Sequence, residues 1–316
     1  MKLHLDKTAF EMLINEASSK NGVRSEVLEK DYYVTLLLFE LSRFENQGYA
    51  FFKGGTALYK AMKSIQRFSE DIDLTIQIDD CPNPSQAKKR LENSTLKFEC
   101  MPKGAILENK RGSITCEYLY TSLYNFDEND TLDRYGKVKV EGTSFTISEP
   151  ISEIEIAPHL YELCNDTQKR ILNDLYDVKP FTIKTISMER IFIDKIFASE
   201  FYFERNEYTD VSKHVYDLTV LLQDEQIINF LKNRDRVLRI VELKRKEELI
   251  RKGGVDSNLK ISDFPFLNKL FDNKTFEDDF YRMQRIYVFK RDDFISLDKV
   301  KKSILEIANI FKKIEC

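Results

Sequence analysis

Apolar residues recur at Phe10, Leu13, Ile14 and Ala17, a spacing that predicts a helix over 5–17, which Asn21-Gly22 brings to an end. Ser25 starts a second helix as its N-cap. It runs through Val27, Leu28, Tyr32, Val34, Leu37, Leu38 and Leu41, is apolar over most of its circumference and is expected to be largely buried. Residues 49–53 predict a short aromatic strand ending at Gly54-Gly55, and Thr56 is expected to cap a helix over 57–65. In the strand predicted over 71–78, Leu74, Ile76 and Ile78 alternate with Asp73, Thr75 and Gln77. Asp71 and Asp73 therefore share a face, opposite Ile72, Leu74 and Ile76.

Pro82 and Pro84 break the pattern, and a polar helix is expected over 86–96. Residues 114–123 and 137–141 are strand-like; the second reads Lys-Val-Lys-Val-Glu and sets Lys139 and Glu141 on one side, Val138 and Val140 on the other. A further strand over 143–147, ending at Ile147, and a connector over 152–164 containing Pro158 are expected next. From Ser187 onward long helices are predicted over 188–203, 211–222, 225–249, 276–289 and 297–314. This divides the chain near residue 180, after Lys179-Pro180, into a mixed α/β domain over 1–180 and a helical domain over 181–316. No internal repeat is evident.

At 316 residues the chain is long enough for two cores. With 32% charged and 42% hydrophobic residues and a net charge of −4 it reads as an ordinary soluble globular protein. Any nucleic-acid contact must then rely on local positive charge. No apolar run approaches the length of a membrane span, and the first residues lack the apolar core of a signal peptide. The five scattered cysteines fit a reducing cytoplasm and no zinc site.

Lys53-Gly54-Gly55-Thr56, followed by Arg67-Phe68-Ser69-Glu70-Asp71-Ile72-Asp73-Leu74, is the segment that carries chemistry. A Gly-Gly turn brings backbone N–H groups close to a phosphate, and two carboxylates at i and i+2 on a strand reach one metal pair. That is equipment for a magnesium nucleotide and for nucleotidyl transfer, in which metals bridge phosphate oxygens and lower the pKa of the nucleophile. Asp-x-Asp alone is usually a solvated strand end; its position after Gly-Gly favours a site. The candidate nucleotide-binding residues are Lys53, Gly54, Gly55, Thr56, Arg67 and Ser69, and the candidate metal acids are Asp71, Asp73 and Glu141, with Glu117 competing for the third place. Ser69 reads equally as a hydroxyl for the triphosphate or as a turn serine, and phosphorylation there would repel a nucleotide. Arg67 reads as a phosphate contact or as the partner of Glu70.

In the helical half, Glu189 and Lys195 lie on one amphipathic helix. A lysine near a buried helix face can neutralise a pyrophosphate leaving group, although a helix lysine is exposed by default. Lys213-His214-Val215-Tyr216-Asp217-Leu218 joins base, acid and aromatic and can orient Lys195 or a nucleobase; His214 alone is more often a surface residue. The run Arg234, Arg236, Arg239, Lys244, Arg245, Lys246, Arg251 and Lys252 is interleaved with Glu242, Glu247 and Glu248. It is ordinarily a salt-bridged solvated helix face; the minority reading is a track for RNA backbone, extended by Arg282, Arg285, Lys290 and Arg291, with Tyr281 and Tyr287 stacking bases or filling core.

Four segments in order, Glu29-Lys30-Asp31-Tyr32-Tyr33-Val34-Thr35, the Gly-Gly stretch, the Asp-x-Asp stretch, and the helical pair Glu189 to Lys195 with Lys213 to Leu218, resemble the AbiEii/AbiGii-type nucleotidyltransferase toxins of bacterial toxin–antitoxin and abortive phage-resistance systems. The resemblance implies a polymerase-β-like α/β (α+β) nucleotidyltransferase domain with a mixed sheet, followed by a helical domain that contributes Lys195 and Asp217. It implies that Gly54, Gly55, Asp71 and Asp73 hold the metal nucleotide, that Lys195 contacts phosphate, and that Asp217 positions Lys195 or the nucleophile. The implied activity is Mg²⁺-dependent transfer of NMP from an NTP to the 3′ end of tRNA, blocking growth, with a cognate antitoxin. A protein acceptor is one alternative, and a GTP or other NTP sensor without transfer another. Family members often place an aromatic and Glu before the motif lysine, whereas this chain has Ile193-Asp194, leaving the role of Asp194 open. Residues 234–316 resemble the family only in being helical.

Overall fold

Phe51 and Phe52, like Leu74, Thr75 and Ile76, present bulk on both faces of a strand, the pattern of strands covered on both sides. In the computed structural model, which describes residues 1–43, 49–124, 135–146, 149–251 and 253–316, these runs lie at the centre of a mixed seven-stranded sheet. In chain order the elements leading to it are α1 (Lys7–Asn21), α2 (Ser25–Arg43), β1 (Ala50–Lys53), the single turn α3 (Gly54–Thr56), β2 (Ile72–Ile76), α4 (Pro84–Leu96), β3 (Lys103–Lys110), β4 (Ser113–Leu119), β5 (Lys137–Thr143), β6 (Ile151–Ile156), α5 (His159–Glu162), α6 (Asp166–Tyr176) and β7 (Phe181–Ile186). The strand order is β3-β4-β5-β2-β1-β7-β6. β1 runs antiparallel to β2, whereas β2 is parallel to β5 and β1 to β7.

The helices that follow are α7 (Met188–Phe203), α8 (Tyr208–Leu221), α9 (Glu225–Leu231), α10 (Arg234–Ile250), α11 (Pro265–Lys269), α12 (Phe276–Tyr287) and α13 (Leu297–Ile314). Two compact units result, Met1–Met62 with Phe68–Ile186, and Lys63–Arg67 with Ser187–Cys316. Strand β7, which begins just past the boundary expected near residue 180, is thus part of the sheet unit. The short segment Lys63–Arg67 belongs to the helical unit because Phe289 N–H donates to the Gln66 carbonyl at 3.2 Å and Arg67 bridges to Val288. No helix among the described residues is long and apolar enough to cross a membrane.

Several expected elements are corrected. The connector expected over 152–164 contains β6, whose Ile154 and Ile156 alternate with Glu153 and Glu155; the flanking prolines hid that period of two. The helix expected over 225–249 is two, because Asn233 caps α10 by accepting from Arg236 N–H at 3.1 Å. The helix expected over 57–65 is a π turn, Ala57–Ala61, and Thr56 does not cap it. Strand β5 runs to Thr143 where a separate strand over 143–147 was expected; Ile147, like Lys252 of the basic run, lies outside the described residues.

Helix α2 is buried as expected, but three of its buried residues are consecutive charges, each held by a different segment. Glu29 accepts from the Ser122 hydroxyl (2.5 Å) and Leu123 N–H (2.7 Å). Lys30 pairs with Glu70 at 3.1 Å. Asp31 takes the Lys60 ammonium at 2.7 Å, the Tyr59 hydroxyl at 3.1 Å and His159 N–H at 2.6 Å. Satisfying every lone pair is what makes a buried carboxylate tolerable. These pairs fix the π turn and the loop before β2 against one rigid helix.

On the reverse face of β5 the sheet meets α4 at Gly142. A Cβ there would stand 2.1 Å from Thr95 Cγ2 and 3.2 Å from Leu91 Cδ1, so the absent side chain sets the approach of helix to sheet. Gly142→Ala is expected to destabilise the protein by about 1–3 kcal/mol, the usual range for overpacking, read as a lower urea midpoint at unchanged slope.

Candidate active site

Strand β1 delivers Lys53 and then turns sharply at Gly54, whose φ is +77°. A Cβ on Gly54 would sit 2.2 Å from Asp73 Oδ2 and 3.1 Å from Asp73 Cγ. Glycine is needed there twice, for the left-handed backbone and for the carboxylate that lies over it. Asp73 is the register partner of Lys53 across β1–β2 and of Glu141 across β2–β5. The pleat therefore places Lys53, Asp73 and Glu141 on one face of three adjacent strands, with Thr75 and Thr143 beyond them. Lys53 Nζ donates to Thr143 Oγ1 at 3.0 Å.

The loop entering β2 is held from two sides. Thr56 Oγ1 donates to the Asp71 carbonyl at 2.5 Å and lies 2.9 Å from Ser69 Oγ, and Glu70 is anchored to Lys30. Thr56 is buried, so its hydroxyl positions Ser69 and Asp71. Asp71 itself pairs with Lys139 Nζ at 2.9 Å. Burial opposes the charged form of Lys139, but Asp71, Asp73 and Glu141 outweigh it and hold the ammonium well above the ordinary lysine range. Lys139 thus pairs with Asp71 and lies within the electrostatic reach of Asp73 and Glu141. Its signal was its place two residues before Glu141 on the same strand face. Glu117, the competing acid, is taken by Lys137 at 3.0 Å. Among the described residues no three His, Cys, Asp or Glu side chains are gathered into a ready metal cage. Carboxylate oxygens on neighbouring strands are the donor type that a hard cation takes, and the register sets Asp73 beside Glu141.

In the helical unit Asp217 on α8 is fully buried. It accepts from Arg67 Nε at 2.7 Å and Nη2 at 2.6 Å, and pairs with Lys195 Nζ at 2.7 Å. Burial raises its pKa, yet Arg67 and Lys195 prevail and hold the carboxyl below the usual carboxylate range. Of the two roles open for Asp217, the geometry supplies the positioning of Lys195. The Arg67 guanidinium is held bidentately on Asp217, while Glu70, its expected acidic partner, has Lys30. His214 is no surface residue: its ring stacks on Tyr202 with centroids 5.4 Å apart, and Nδ1 lies 3.3 Å from Lys195 Nζ. Burial first, then Lys195, Arg67 and Lys213, push His214 well below the ordinary histidine range. The neutral ring can therefore accept from the lysine. Lys213 lies over the Tyr287 ring at 4.9 Å and pairs with Asp210 at 3.1 Å, which places Tyr287 in packing.

The remaining helical motif residues are braces. Arg190 donates to Asp194 at 3.1 Å and pairs with buried Glu247, and Lys244 is shared by Glu247 at 3.3 Å and Glu248 at 2.7 Å. Asp194, whose role was open, belongs to this network between α7 and α10. Glu189 holds Arg236 at 2.7 Å, Arg245 holds Glu315 at 3.0 Å and Lys246 holds Glu242 at 3.0 Å. Within the basic run Arg236, Lys244, Arg245 and Lys246 are salt-bridged as expected, but Lys244, Glu247 and Glu248 are buried instead of solvated.

The family described as nucleotidyl transferase AbiEii toxin, type IV toxin–antitoxin system, matches residues 36–301. Among solved structures, the chain is similar to MenT4, a nucleotidyltransferase toxin from Mycobacterium tuberculosis H37Rv, with a TM-score of 0.57 and 14% identity over 96% of this chain and 89% of that one. At that identity the likeness is one of fold. Comparison with curated proteins gave no match.

Two measurements probe the buried cluster of the helical unit. Asp217→Asn leaves two buried cations without their anion and is expected to cost about 3–5 kcal/mol in urea unfolding, the range for halving a buried ion pair. Because the folded pKa of His214 is depressed, the unfolded chain binds a proton that the folded one refuses once pH falls below the unfolded value of about 6.5. Its contribution to stability is complete above that pH and is lost on acidification towards the folded pKa. Stability measured from pH 7.5 to 5 should therefore fall more steeply in the wild type than in His214→Gln.

Proposed function

Because the chain belongs to the AbiEii nucleotidyltransferase toxins of type IV toxin–antitoxin systems, we propose that it transfers NMP from an NTP to the 3′ end of a tRNA in a Mg²⁺-dependent reaction. The observation that supports this reading most directly is the register that sets Asp73 beside Glu141, with Asp71 just before β2 on the same side and paired with Lys139. Asp71, Asp73 and Glu141 would hold the metal. When bound, Mg²⁺ neutralises triphosphate charge and lowers the pKa of the attacking hydroxyl.

In the reaction the 3′-hydroxyl oxygen bonds to the α-phosphorus. The bond from that phosphorus to the bridging oxygen breaks, pyrophosphate leaves with the electron pair, and one of the carboxylates takes the hydroxyl proton. The backbone at Gly54-Gly55, the Lys53 ammonium and the Ser69 hydroxyl are the groups of the sheet unit assigned to phosphate. Thr56 serves by holding Ser69 and Asp71 in place. Lys195 is assigned to phosphate charge, with Asp217, Arg67 and His214 fixing its ammonium. The family implies a cognate antitoxin and an NTP substrate.

The test incubates the protein with Mg²⁺, each α-³²P-labelled NTP in turn and total bacterial RNA, beside Asp71→Ala and Asp73→Ala. Label on a tRNA-sized band is expected, with a loss of at least about 10³-fold in either variant while circular dichroism stays native. Label resistant to ribonuclease and sensitive to protease would replace tRNA with a protein acceptor. Undiminished labelling by folded Asp71→Ala would overturn the assignment of the acids.

A further inference from the structure

The parallel pairing of β2 with β5 sets Asp73 directly beside Glu141, two like charges on neighbouring strands, an arrangement that repels. One step earlier in the same register, Ile72 pairs with Val140, which brings Lys139 alongside Asp71, and the two meet at 2.9 Å. Lys139 is not fixed there by burial: its side chain is 39% exposed and that of Asp71 37%, so the ammonium has room to move away. What holds it is its 2.9 Å contact with Asp71, beside the register pair Asp73 and Glu141, whose charge acts in the same direction. Lys139 is thus a cation covalently tethered inside the group of acids proposed to hold metal, and it is exposed enough to be displaced.

We propose that Lys139 is the resident counter-ion of the site, exchanged between Asp71 and the triphosphate. This rests on the reading of Asp71, Asp73 and Glu141 as the metal acids. Without nucleotide, a divalent cation approaching Asp71 meets the Lys139 ammonium already on Oδ2, and that positive charge either repels it or must be displaced. With nucleotide, phosphate oxygens accept the released ammonium, so the exchange replaces one charge-assisted contact with another. Affinity for the bare cation is thereby kept low and coupled to nucleotide binding, each strengthening the other by the same factor. No bond is made or broken in this exchange beyond ion pairs.

The experiment is calorimetric titration of Mn²⁺ into the protein, alone and in the presence of the α,β-methylene analogue of each of the four ribonucleoside triphosphates. Wild type, Lys139→Met, Lys139→Arg and Asp71→Ala are compared. Removing an ion pair of this exposure together with its repulsion is expected to tighten bare Mn²⁺ binding of Lys139→Met by about fivefold or more. The same variant should lose most of the enhancement that the bound analogue gives the wild type. Lys139→Arg should stay near wild type. Relief of three mutually repelling acids should also give Lys139→Met the larger rise in melting temperature on adding Mn²⁺, and Lys139→Gln provides the same readings should the methionine variant not fold. Bare Mn²⁺ affinity unchanged or weakened in Lys139→Met, with binding abolished in Asp71→Ala, overturns the counter-ion role and leaves the metal acids standing. Unaltered Mn²⁺ binding in Asp71→Ala overturns the metal reading, and the counter-ion role with it.

Discussion

Placing like-charged carboxylates side by side on a sheet face is the constraint around which the strand unit is arranged. Asp73 and Glu141 lie in register on adjacent parallel strands, with Asp71 at the entrance to β2, and such a group repels itself unless positive charge is built in nearby. The chain meets this with Lys139 between the acids and Lys53 on the flanking strand, register partner of Asp73. Gly54 follows from the same constraint, since the Asp73 carboxylate occupies the space where any side chain at that position would begin. The opposite face of these strands is apolar, and Gly142 lets α4 come close enough to cover it.

Each unit also contains charges buried deeply enough to need full compensation. Asp31 has three donors and Asp217 two cations. Between α7 and α10, Arg190 and Lys244 form a connected network with Asp194, Glu247 and Glu248. Pairs of this kind contribute little net stability compared with apolar packing, but are costly to break by halves. Their effect is selective: a segment that docks elsewhere strands a charge. For Asp31 and Lys30 the segments so chosen are the π turn and the loop leading to Asp71. For Asp217 they are the strand-like stretch ending at Arg67 and the helix carrying Lys195.

How much of this was legible in the sequence follows from what kind of signal each feature leaves. Helices α7 and α13 were predicted with the bounds they have, because their apolar residues recur with helical period and Ser187 and Ser296 cap them. That Asp73 shares a sheet face with Asp71, and Glu141 one with Lys139, was legible because a strand puts i and i+2 on one face; the pairing of Asp73 with Glu141 across two strands came from the fold. Strands β3, β6 and β7 were not found: β3 is largely exposed, and Pro150, Pro158 and Pro180 near the ends of β6 and before β7 imitated loop. The partners of Arg67 and Thr56 were beyond reach for another reason. Arg67 and Asp217 are separated by 150 positions, and no local pattern encodes a bond of that span.

Short motifs rich in polar residues invite the reading that every side chain meets substrate, and the segment from Thr56 to Asp73 argues against it. Asp71 and Asp73 carry the charge, yet the Thr56 hydroxyl is spent on the Asp71 carbonyl, Glu70 on Lys30 and Arg67 on Asp217. The reason is geometric. Strand β2 has only five residues, and Asp71 lies just outside it, so ladder hydrogen bonds alone do not fix its direction. A carboxylate that must be presented at the end of a short strand needs its approach loop tied down, and polar side chains buried against backbone and opposite charge provide the tie. Dense polarity ahead of the acids is therefore the expected companion of a carboxylate presented in this way.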